Sequence, residues 1–404
     1  MSEPFFFTWR AQQGARGIEI TGGEGAWFTV ASGERWLDLG SLIYQANLGH
    51  GRRDVVEAIC AQARRLCLTM PVAVYPEKRR LAERLLALAP RGFSKVFYTL
   101  GGSDANENAL KIARLVTGRF KALARYRSYH GATMGAVTLS GDWRRPPVEP
   151  GLPGIIHVDD RDATDAEAFV RALEFEGPST VAAVFVESIV GGNGVHRPPP
   201  GYLRQLRHAC DRHGVLLVVD EVLAGFGRTG RTFGFEHEPG LVPDLITCGK
   251  ALTGGYGVLG AVLVHERVAA HFETRPLVAG LTHYAHPLGV AAALAALDVL
   301  ERERLVERAA GLEPVLASGL QTVVDACPAV ARRARAVGLL GAVDVDLDAS
   351  GWDRLEAALV RRRIHVHLQR KVGAIVVAPP LVIAEPELRH GLGLLAEALR
   401  EVAS

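Results

Sequence analysis

The feature that most constrains the fold is a regular alternation of short apolar runs with helical patterns through the middle of the chain. Seven runs have the length and the Val, Ile, Leu and Ala content of strands: FSKVFYTL from Phe93, KALARY from Lys121, GIIHVD from Gly154, VAAVFVES from Val181, VLLVVDE from Val215, DLITCG from Asp244 and AVLVH from Ala261. Several of them lack a polar alternate face, which is typical of strands that helices bury on both sides. The alternation therefore predicts an α/β fold with a mostly parallel seven-stranded sheet flanked by helices.

The two ends of the chain have a different pattern from the middle. Residues 1–48 mix short strands and turns, whereas residues 291–404 contain long helices rich in Ala, Leu and Arg, a short β segment AIVVAP and a closing helix. A chain of 404 residues is long enough for two domains. We therefore predict a large ligand-binding domain over residues 49–290 and a smaller α+β domain built from both ends, residues 1–48 and 291–404.

Composition excludes several classes of protein. The net charge is +2, from 46 Lys and Arg and 44 Asp and Glu, so nothing favours nucleic acid or an anionic membrane as a partner. The five cysteines are scattered and show no CxxC spacing, which indicates a reducing, cytoplasmic setting. No run approaches the ~18 apolar residues of a membrane helix. His365 and His367 lack a third ligand at suitable spacing, so we expect no metal site.

The stretch VLLVVDEVLAGFGRTG ends an apolar strand at two adjacent carboxylates, Asp220 and Glu221. Ligands of α/β sheets bind at the carboxyl ends of the strands. A buried carboxylate needs a partner that keeps it charged, and a protonated ring nitrogen of a ligand would serve. The alternative is that Asp220 caps the following turn or pairs with Arg228 or Arg231.

Two further strand ends carry groups that suit a flat, phosphorylated ligand. In YTLGGSDANENALKIAR a strand ends at Gly101, Gly102 and Ser103 and a helix begins at once, so backbone N–H groups could bind a phosphate. An ordinary capped turn is the alternative. In SYHGATMG, Tyr129 and His130 follow a strand directly and could offer a flat face to a ring, although they could equally be core aromatics.

Lys250 is an unusual residue to find just after an apolar strand, among small residues, in DLITCGKALTGGYGVLGAVLV. A lysine that loses hydration there has a lowered pKa, and its amine can form a Schiff base. The Gly255-x-Gly257-x-x-Gly260 pattern matches a dinucleotide motif, but a strand follows it where a helix is required. The phosphate site, aromatic face, carboxylate and amine together fit a phosphorylated pyridine aldehyde.

These motifs resemble those of the class III (ω-type) aminotransferases, which depend on pyridoxal 5′-phosphate and have fold type I. The resemblance covers nearly the whole chain and is closest to the taurine–pyruvate and ω-amino acid–pyruvate branch; it runs through LDLGSLIYQANLGHG, GGSDANENALKIAR, RYRSYHGATMGA, ESIVGGNG, VVDEVLAGFGRTG, CGKALTGGY, LTHYAHPLG and VAPPLVI. It implies transfer of an amino group from an amine or ω-amino acid to a keto acid such as pyruvate. A same-fold aminomutase or racemase is the alternative, since it would share the cofactor residues.

The resemblance also assigns roles to individual residues. Lys250 would form the Schiff base and move the proton, Asp220 would pair with the ring nitrogen, and Tyr129 would complete the catalytic group. The implied cofactor-binding residues are Gly102, Ser103, Tyr129, His130, Glu187, Asp220, Val222, Lys250 and Thr282. Thr282 matches a threonine that reaches the phosphate of the neighbouring subunit, which implies a homodimer with shared active sites.

The residues at the expected substrate-binding positions differ from those of related branches. Ala132 stands where the 4-aminobutyrate branch has a carboxylate-binding arginine, and Ala374 or Val376 stands where several branches keep another. Arg370 lies a few residues upstream on a segment that could swing, so we expect it to bind the acceptor carboxylate, with Lys371 as the second choice. The expected substrate residues are Tyr44, Trp9 and Arg370.

Overall fold

The computed structural model describes residues 3–403. Its strands are β1 Ile20–Glu24, β2 Trp27–Val30, β3 Arg35–Asp38, β4 Phe93–Thr99, β5 Lys121–Arg125, β6 Ile155–Val158, β7 Val181–Glu187, β8 Leu216–Asp220, β9 Leu245–Cys248, β10 Gly260–His265, β11 Ala331–Val337, β12 Leu340–Val345, β13 Ile364–His365, β14 His367–Gln369 and β15 Ala374–Val377. Its helices are α1 Ser41–Tyr44, α2 Arg53–Arg65, α3 Pro76–Leu88, α4 Gly102–Thr117, α5 Met134–Leu139, α6 Ala166–Phe175, α7 Tyr202–His213, α8 Glu266–Ala269, α9 Pro287–Arg302, α10 Leu305–Ala326, α11 Ala349–Arg361 and α12 Glu385–Ala403. Within the described residues, none of these helices is both long and apolar enough to span a membrane.

The central layer is a seven-stranded sheet with the order β4-β10-β9-β8-β7-β5-β6. Neighbouring strands from β9 to β6 pair in parallel, while β10 pairs antiparallel with both β9 and β4. Six strands therefore point one way and β10 points the other. The predicted α/β fold and its mostly parallel seven-stranded sheet are confirmed.

Burial on both faces explains why these strands are continuous apolar runs. All seven residues of β7 are buried, as are the last four of β8. On one side, α4 turns Ala105, Ala109 and Ile112 toward the sheet, and these residues belong to one core cluster with strand residues such as Phe185 and Val218. Helices on the sheet thus hold the strand ends, and the loops that follow them, in fixed positions.

Two four-stranded sheets lie outside the central one, with orders β1-β2-β3-β13 and β11-β12-β15-β14. In the first, β13 near the C-terminus pairs in parallel with β3 near the N-terminus, through Ile364 with Leu37 and His365 with Asp38. Both ends of the chain therefore contribute to one sheet, as the proposed small domain requires. The division at residues 48 and 290 remains a prediction.

The C-terminal part contains more β structure than its composition suggested. The segment AIVVAP forms the expected strand β15, but the antiparallel pair β11 and β12 was not predicted. The sequence ARRARAV of β11 has the Ala and Arg content of a helix, yet cross-strand pairing with β12 stabilises it as a strand. Its exposed arginines bind Asp344 on β12, which a local pattern does not reveal.

Candidate active site

A cavity of about 400 Å³ opens at the carboxyl ends of β5, β7, β8 and β9. The predicted residues that line it are Trp9, Tyr44, Gly102, Ser103, Tyr129, His130, Glu187, Asp220, Val222 and Lys250. Its wall also includes Arg144, Asn193, His367 and Gln369, which the sequence analysis missed. Within residues 3–403, no three His, Cys, Asp or Glu side chains are grouped so that they could hold a metal ion.

Lys250 begins the turn that follows β9, two residues after the strand ends at Cys248. Its φ of 41° lies in the left-handed region, which is uncommon for a residue with a Cβ and is found most often at functional sites. Loss of hydration lowers the pKa of its amine, against the opposing effect of the negative charges of Asp220 and Glu187. The site therefore favours a less protonated, more nucleophilic lysine.

Asp220 ends β8 and is fixed by three hydrogen-bond donors. Its Oδ2 accepts from Asn106 Nδ2 at 2.7 Å and lies 2.8 Å from His130 Nδ1, while Oδ1 accepts from the N–H of Val222 at 3.0 Å. Since a carboxylate only accepts, the proton of the His130 ring lies on Nδ1. Thr247 in turn donates to Asn106 Oδ1 at 2.8 Å. The network orients the carboxylate and leaves it facing the cavity.

The second carboxylate of the strand end, Glu221, points away from the cavity. Its oxygens accept from two backbone N–H groups of the following loop at 2.7 and 2.9 Å, and burial raises its pKa to about 7. Arg228 is also fully buried and donates to Ser41 Oγ at 3.0 Å and Asn47 Oδ1 at 2.6 Å. The alternative pairing of Asp220 with Arg228 is therefore not what the structure has.

The glycine turn after β4 forms one end of the cavity. Helix α4 begins at Gly102 with Gly101 as its cap, so the N–H groups of Gly102 and Ser103 have no acceptor within the helix. The hydroxyl of Ser103 accepts from the N–H of Ala132 at 3.1 Å. A Cβ on Gly102 would lie 2.6 Å from Val222 Cγ1, so only glycine fits there. The helix terminus suits an anion, and the lack of a side chain brings the backbone close to Val222.

Glu187 ends β7 directly beside Asp220 in the sheet register. Its two oxygens accept from the N–H groups of Tyr129 at 3.0 Å and Gly191 at 2.9 Å, and burial raises its pKa. The Tyr129 hydroxyl also has a raised pKa because of burial. The strand ends thus bring the carboxylates of Glu187 and Asp220 and the ring of Tyr129 into one site.

One part of the cavity wall carries no positive charge of its own. Tyr44, His367 and Gln369 line it, and the rings of Tyr44 and His367 have centroids 5.0 Å apart. Burial lowers the pKa of His367 to about 4, so its ring is neutral near pH 7. Ala374 and Val376, at the alignment positions of a branch-specific arginine, lie buried in β15 outside the cavity.

Arg370 is the predicted substrate residue that the structure does not bring to the cavity. Its Nη1 donates to Asp353 Oδ1 at 2.6 Å, and its Nη2 pairs with Glu356, both on the exposed side of α11. Two carboxylates hold it outside the cavity, and its predicted role in binding the acceptor stays a prediction. Thr282 is exposed and does not line the cavity. Its role needs a second subunit and stays a prediction.

The chain resembles known proteins in both sequence and structure. Residues 10–399 match the family described as Aminotransferase class-III. The chain is 39% identical to an acetylornithine aminotransferase of Methanopyrus kandleri over 95% of this chain and 94% of that one. It superposes with a TM-score of 0.94 and 28% identity on a transaminase from the marine bacterium Virgibacillus, covering 99% and 97% of the chains. It superposes with a TM-score of 0.93 and 34% identity on a taurine:2-oxoglutarate aminotransferase from Bifidobacterium kashiwanohense in complex with pyridoxal phosphate and glutamate, covering 100% and 96%. The chain belongs to the class III aminotransferases, enzymes that use pyridoxal 5′-phosphate.

Proposed function

We propose that this aminotransferase moves an amino group from an amine or ω-amino acid to a keto acid such as pyruvate. The observation that carries the proposal is the uncharged wall of Tyr44, His367 and Gln369. A carboxylate held against these three side chains would find no cation among them, at a desolvation cost, so this part of the wall suits hydrogen or a methyl group on the reacting carbon, and the carboxylate of the keto acid must point away from it. A donor whose reacting carbon bears only hydrogen or an apolar group avoids that cost.

Three observations support the fit of pyridoxal 5′-phosphate to the cavity. The first-turn N–H groups of Gly102 and Ser103 are available to a phosphate. Asp220, fixed by its three donors, offers a carboxylate to a protonated ring nitrogen. Lys250 has an amine of lowered pKa that suits a covalent link to an aldehyde. Val222 and Tyr129 would then lie on the two faces of the ring.

In the proposed reaction the chain holds groups in place and moves protons. The cofactor, when bound, supplies an electron sink for the carbon that loses its proton. Asp220 keeps the ring nitrogen protonated through a charge-assisted hydrogen bond. Lys250 Nζ would move the proton between the substrate carbon and the former aldehyde carbon of the cofactor, a 1,3-transfer. The donor leaves as an aldehyde or ketone, the keto acid leaves as an amino acid, and no external oxidant is consumed.

Apolar side chains at the rim of the cavity support a homodimer with shared active sites. Ile43, Leu100 and Val258 line the cavity and are 56%, 36% and 70% exposed. Leu68, Met70, Val72 and Val74 form a further exposed apolar segment. Exposed apolar patches of this kind mark interfaces with other chains. In the proposed dimer, Thr282 of one subunit reaches the phosphate site of the other.

A half-reaction screen tests the proposed donor class. The holoenzyme is mixed with propylamine, 3-aminopropanoate or leucine, and the loss of the absorbance of the lysine-bound cofactor is followed. We expect the first two to react and leucine to be inert, because the first two place only hydrogen beside this wall, whereas leucine would place a carboxylate or a branched four-carbon group there. Formation of alanine from added pyruvate, together with an aldehyde from the donor, distinguishes transfer from an aminomutase or racemase. A reaction with leucine alone would refute the donor class.

A further inference from the structure

Arg144 is the second cation of the cavity. Among the described residues that line it, only Arg144 and Lys250 carry a lysine or arginine charge. The side chain of Arg144 is 12% exposed, so most of it is removed from bulk water. It lies in the loop between α5 and β6. The proposed cofactor chemistry gives it no task.

Aromatic rings and one carboxylate hold the guanidinium of Arg144 in place. Its Cζ lies 4.6 Å from the ring centre of Tyr129, 4.8 Å from that of Trp143 and 5.1 Å from that of Trp9. Rings at these distances stabilise a cation and restrict its plane. Its Nη1 pairs with Asp142, and the N–H of Arg144 donates to the same carboxylate at 3.0 Å. The group is therefore oriented before any ligand arrives.

The hydrogen bonds of Arg144 leave one edge of the guanidinium without an acceptor. Nη1 of Arg144 donates to the carboxylate of Asp142. Nε of Arg144 is enclosed and has no hydrogen-bond partner within residues 3–403. Arginine offers five N–H donors in a planar fork. No described residue accepts from Nη2, and this nitrogen is left to form a charge-assisted hydrogen bond with an oxygen of an acid group.

The position of Arg144 indicates which part of a substrate it would contact. The guanidinium of Arg144 packs on Tyr129, whose ring is proposed to cover the cofactor. The Tyr129 ring therefore separates Arg144 from the proposed position of the cofactor. Arg144, Lys250 and His367 all line the same cavity, and the positive charges of Arg144 and Lys250 both act on His367. A substrate joined to the cofactor near Lys250 would therefore meet Arg144 with an end several bonds from the amino-bearing carbon.

We propose that Arg144, held between Trp9, Tyr129 and Trp143 with its Nη2 free of hydrogen bonds among the described residues, binds the carboxylate or sulfonate at the remote end of an acidic amine substrate. This inference rests on the proposed function and specifies the acid-binding group of its site. It is an alternative to the predicted role of Arg370, which pairs with Asp353 and Glu356 outside the cavity. Carboxylate and sulfonate share the feature that matters, two or more oxygens that accept from one fork.

The test compares Arg144→Gln with Arg145→Gln. Arg145 is the matched control because it is adjacent in sequence, pairs with Glu149 and stacks on Tyr126, and does not line the cavity. Both holoenzymes are assayed with 3-aminopropanoate, 2-aminoethanesulfonate and propylamine. We expect Arg144→Gln to raise KM for the two acidic amines about 10- to 100-fold and to leave propylamine within about twofold. Arg145→Gln should leave all three unchanged.

A binding measurement separates this inference from the proposed function. Propionate, which has an acid group and no amine, is titrated against each holoenzyme by calorimetry. Binding to the wild type that is lost in Arg144→Gln and kept in Arg145→Gln supports the acid site even if none of the amines reacts. Equal KM changes for acidic and neutral amines, or unchanged propionate affinity in Arg144→Gln, would overturn it. Arg144→Lys, which keeps the charge but loses the fork, should show an intermediate affinity and serves if the glutamine variant does not fold.

Discussion

Replacement of Gly102 by alanine gives the sharpest test of how the cofactor fits. The new Cβ would lie 2.6, 2.9 and 3.3 Å from Cγ1, Cγ2 and Cβ of Val222, whereas carbon atoms in contact are normally ~3.5–4.0 Å apart. All three atoms belong to a β-branched side chain with few rotamers, so Val222 must move as a whole. Without the cofactor it can move into the cavity. With the cofactor bound, the ring would occupy that space.

The strain of Gly102→Ala is therefore expected mainly in the cofactor-bound state. Overpacking of this kind costs ~1–3 kcal/mol. At ~1.4 kcal/mol for each factor of ten, the dissociation constant of pyridoxal 5′-phosphate should rise about 5- to 150-fold. The free energy of unfolding of the cofactor-free protein should change little. Absorbance titration of the cofactor-free protein and urea unfolding measure the two quantities separately.

Two variants control for other effects of the added methyl group. A Cβ on Gly101 meets nothing within 4 Å, and its φ of −177° is extended backbone, so Gly101→Ala should bind the cofactor nearly as the wild type does. Val222→Ala combined with Gly102→Ala removes the clashing atoms and should recover part of the affinity. If Gly102→Ala lowers stability but leaves cofactor affinity unchanged, Val222 does not pack on the cofactor ring and its proposed role is wrong.

Three further predictions concern the proposed catalytic residues and the assembly. Lys250→Ala should keep the fold but lose the absorbance of the lysine-bound cofactor and essentially all turnover; near-normal turnover would show that another group does its work. Asp220→Asn should still bind the cofactor but slow proton abstraction by several orders of magnitude, measured by stopped flow, and a rate within about tenfold of wild type, ~1.4 kcal/mol, would contradict the pairing with the ring nitrogen. Light scattering at assay concentration should give a homodimer, and a fully active monomer would refute the shared active site implied by Thr282.

The central sheet could be predicted from the sequence because its strands are buried on both faces. Continuous apolar runs of strand length, each followed by a helical pattern, leave few alternative folds. The pair β11 and β12 lacked that signal, since β11 carries arginines on exposed positions. Arg333 and Arg335 each lie 2.9 Å from Asp344 Oδ2 across the pair, a contact that depends on the partner strand. Tertiary pairing, rather than local preference, determines that segment.

The cofactor side of the site could be predicted because its groups follow strands directly. Lys250 and Asp220 stand where a buried strand ends, so their surroundings follow from the local pattern and the general rule for α/β sheets. Asn106 had only a weak signal, a polar side chain beside the buried face of α4, because its partners Asp220 and Thr247 are 114 and 141 residues away along the chain. Arg144 and its neighbour Arg145 look alike in sequence, and only the fold shows which one faces the cavity.

The pairing of Arg144 with Asp142 bears on how one cavity could accept both acidic and neutral substrates. An enclosed guanidinium left alone by a neutral amine would carry a large desolvation cost. Asp142, held in turn by Asn193 Nδ2 at 3.3 Å, neutralises Arg144 whenever no acid is bound. When an acid is bound, Nη2 donates to it without breaking the ion pair, because Nη1 keeps its own N–H groups for Asp142. In the proposed reaction, therefore, the arginine need not leave the cavity for a neutral donor. The wall of Tyr44, His367 and Gln369 then meets hydrogen or a methyl group on the reacting carbon in both half-reactions, and no carboxylate.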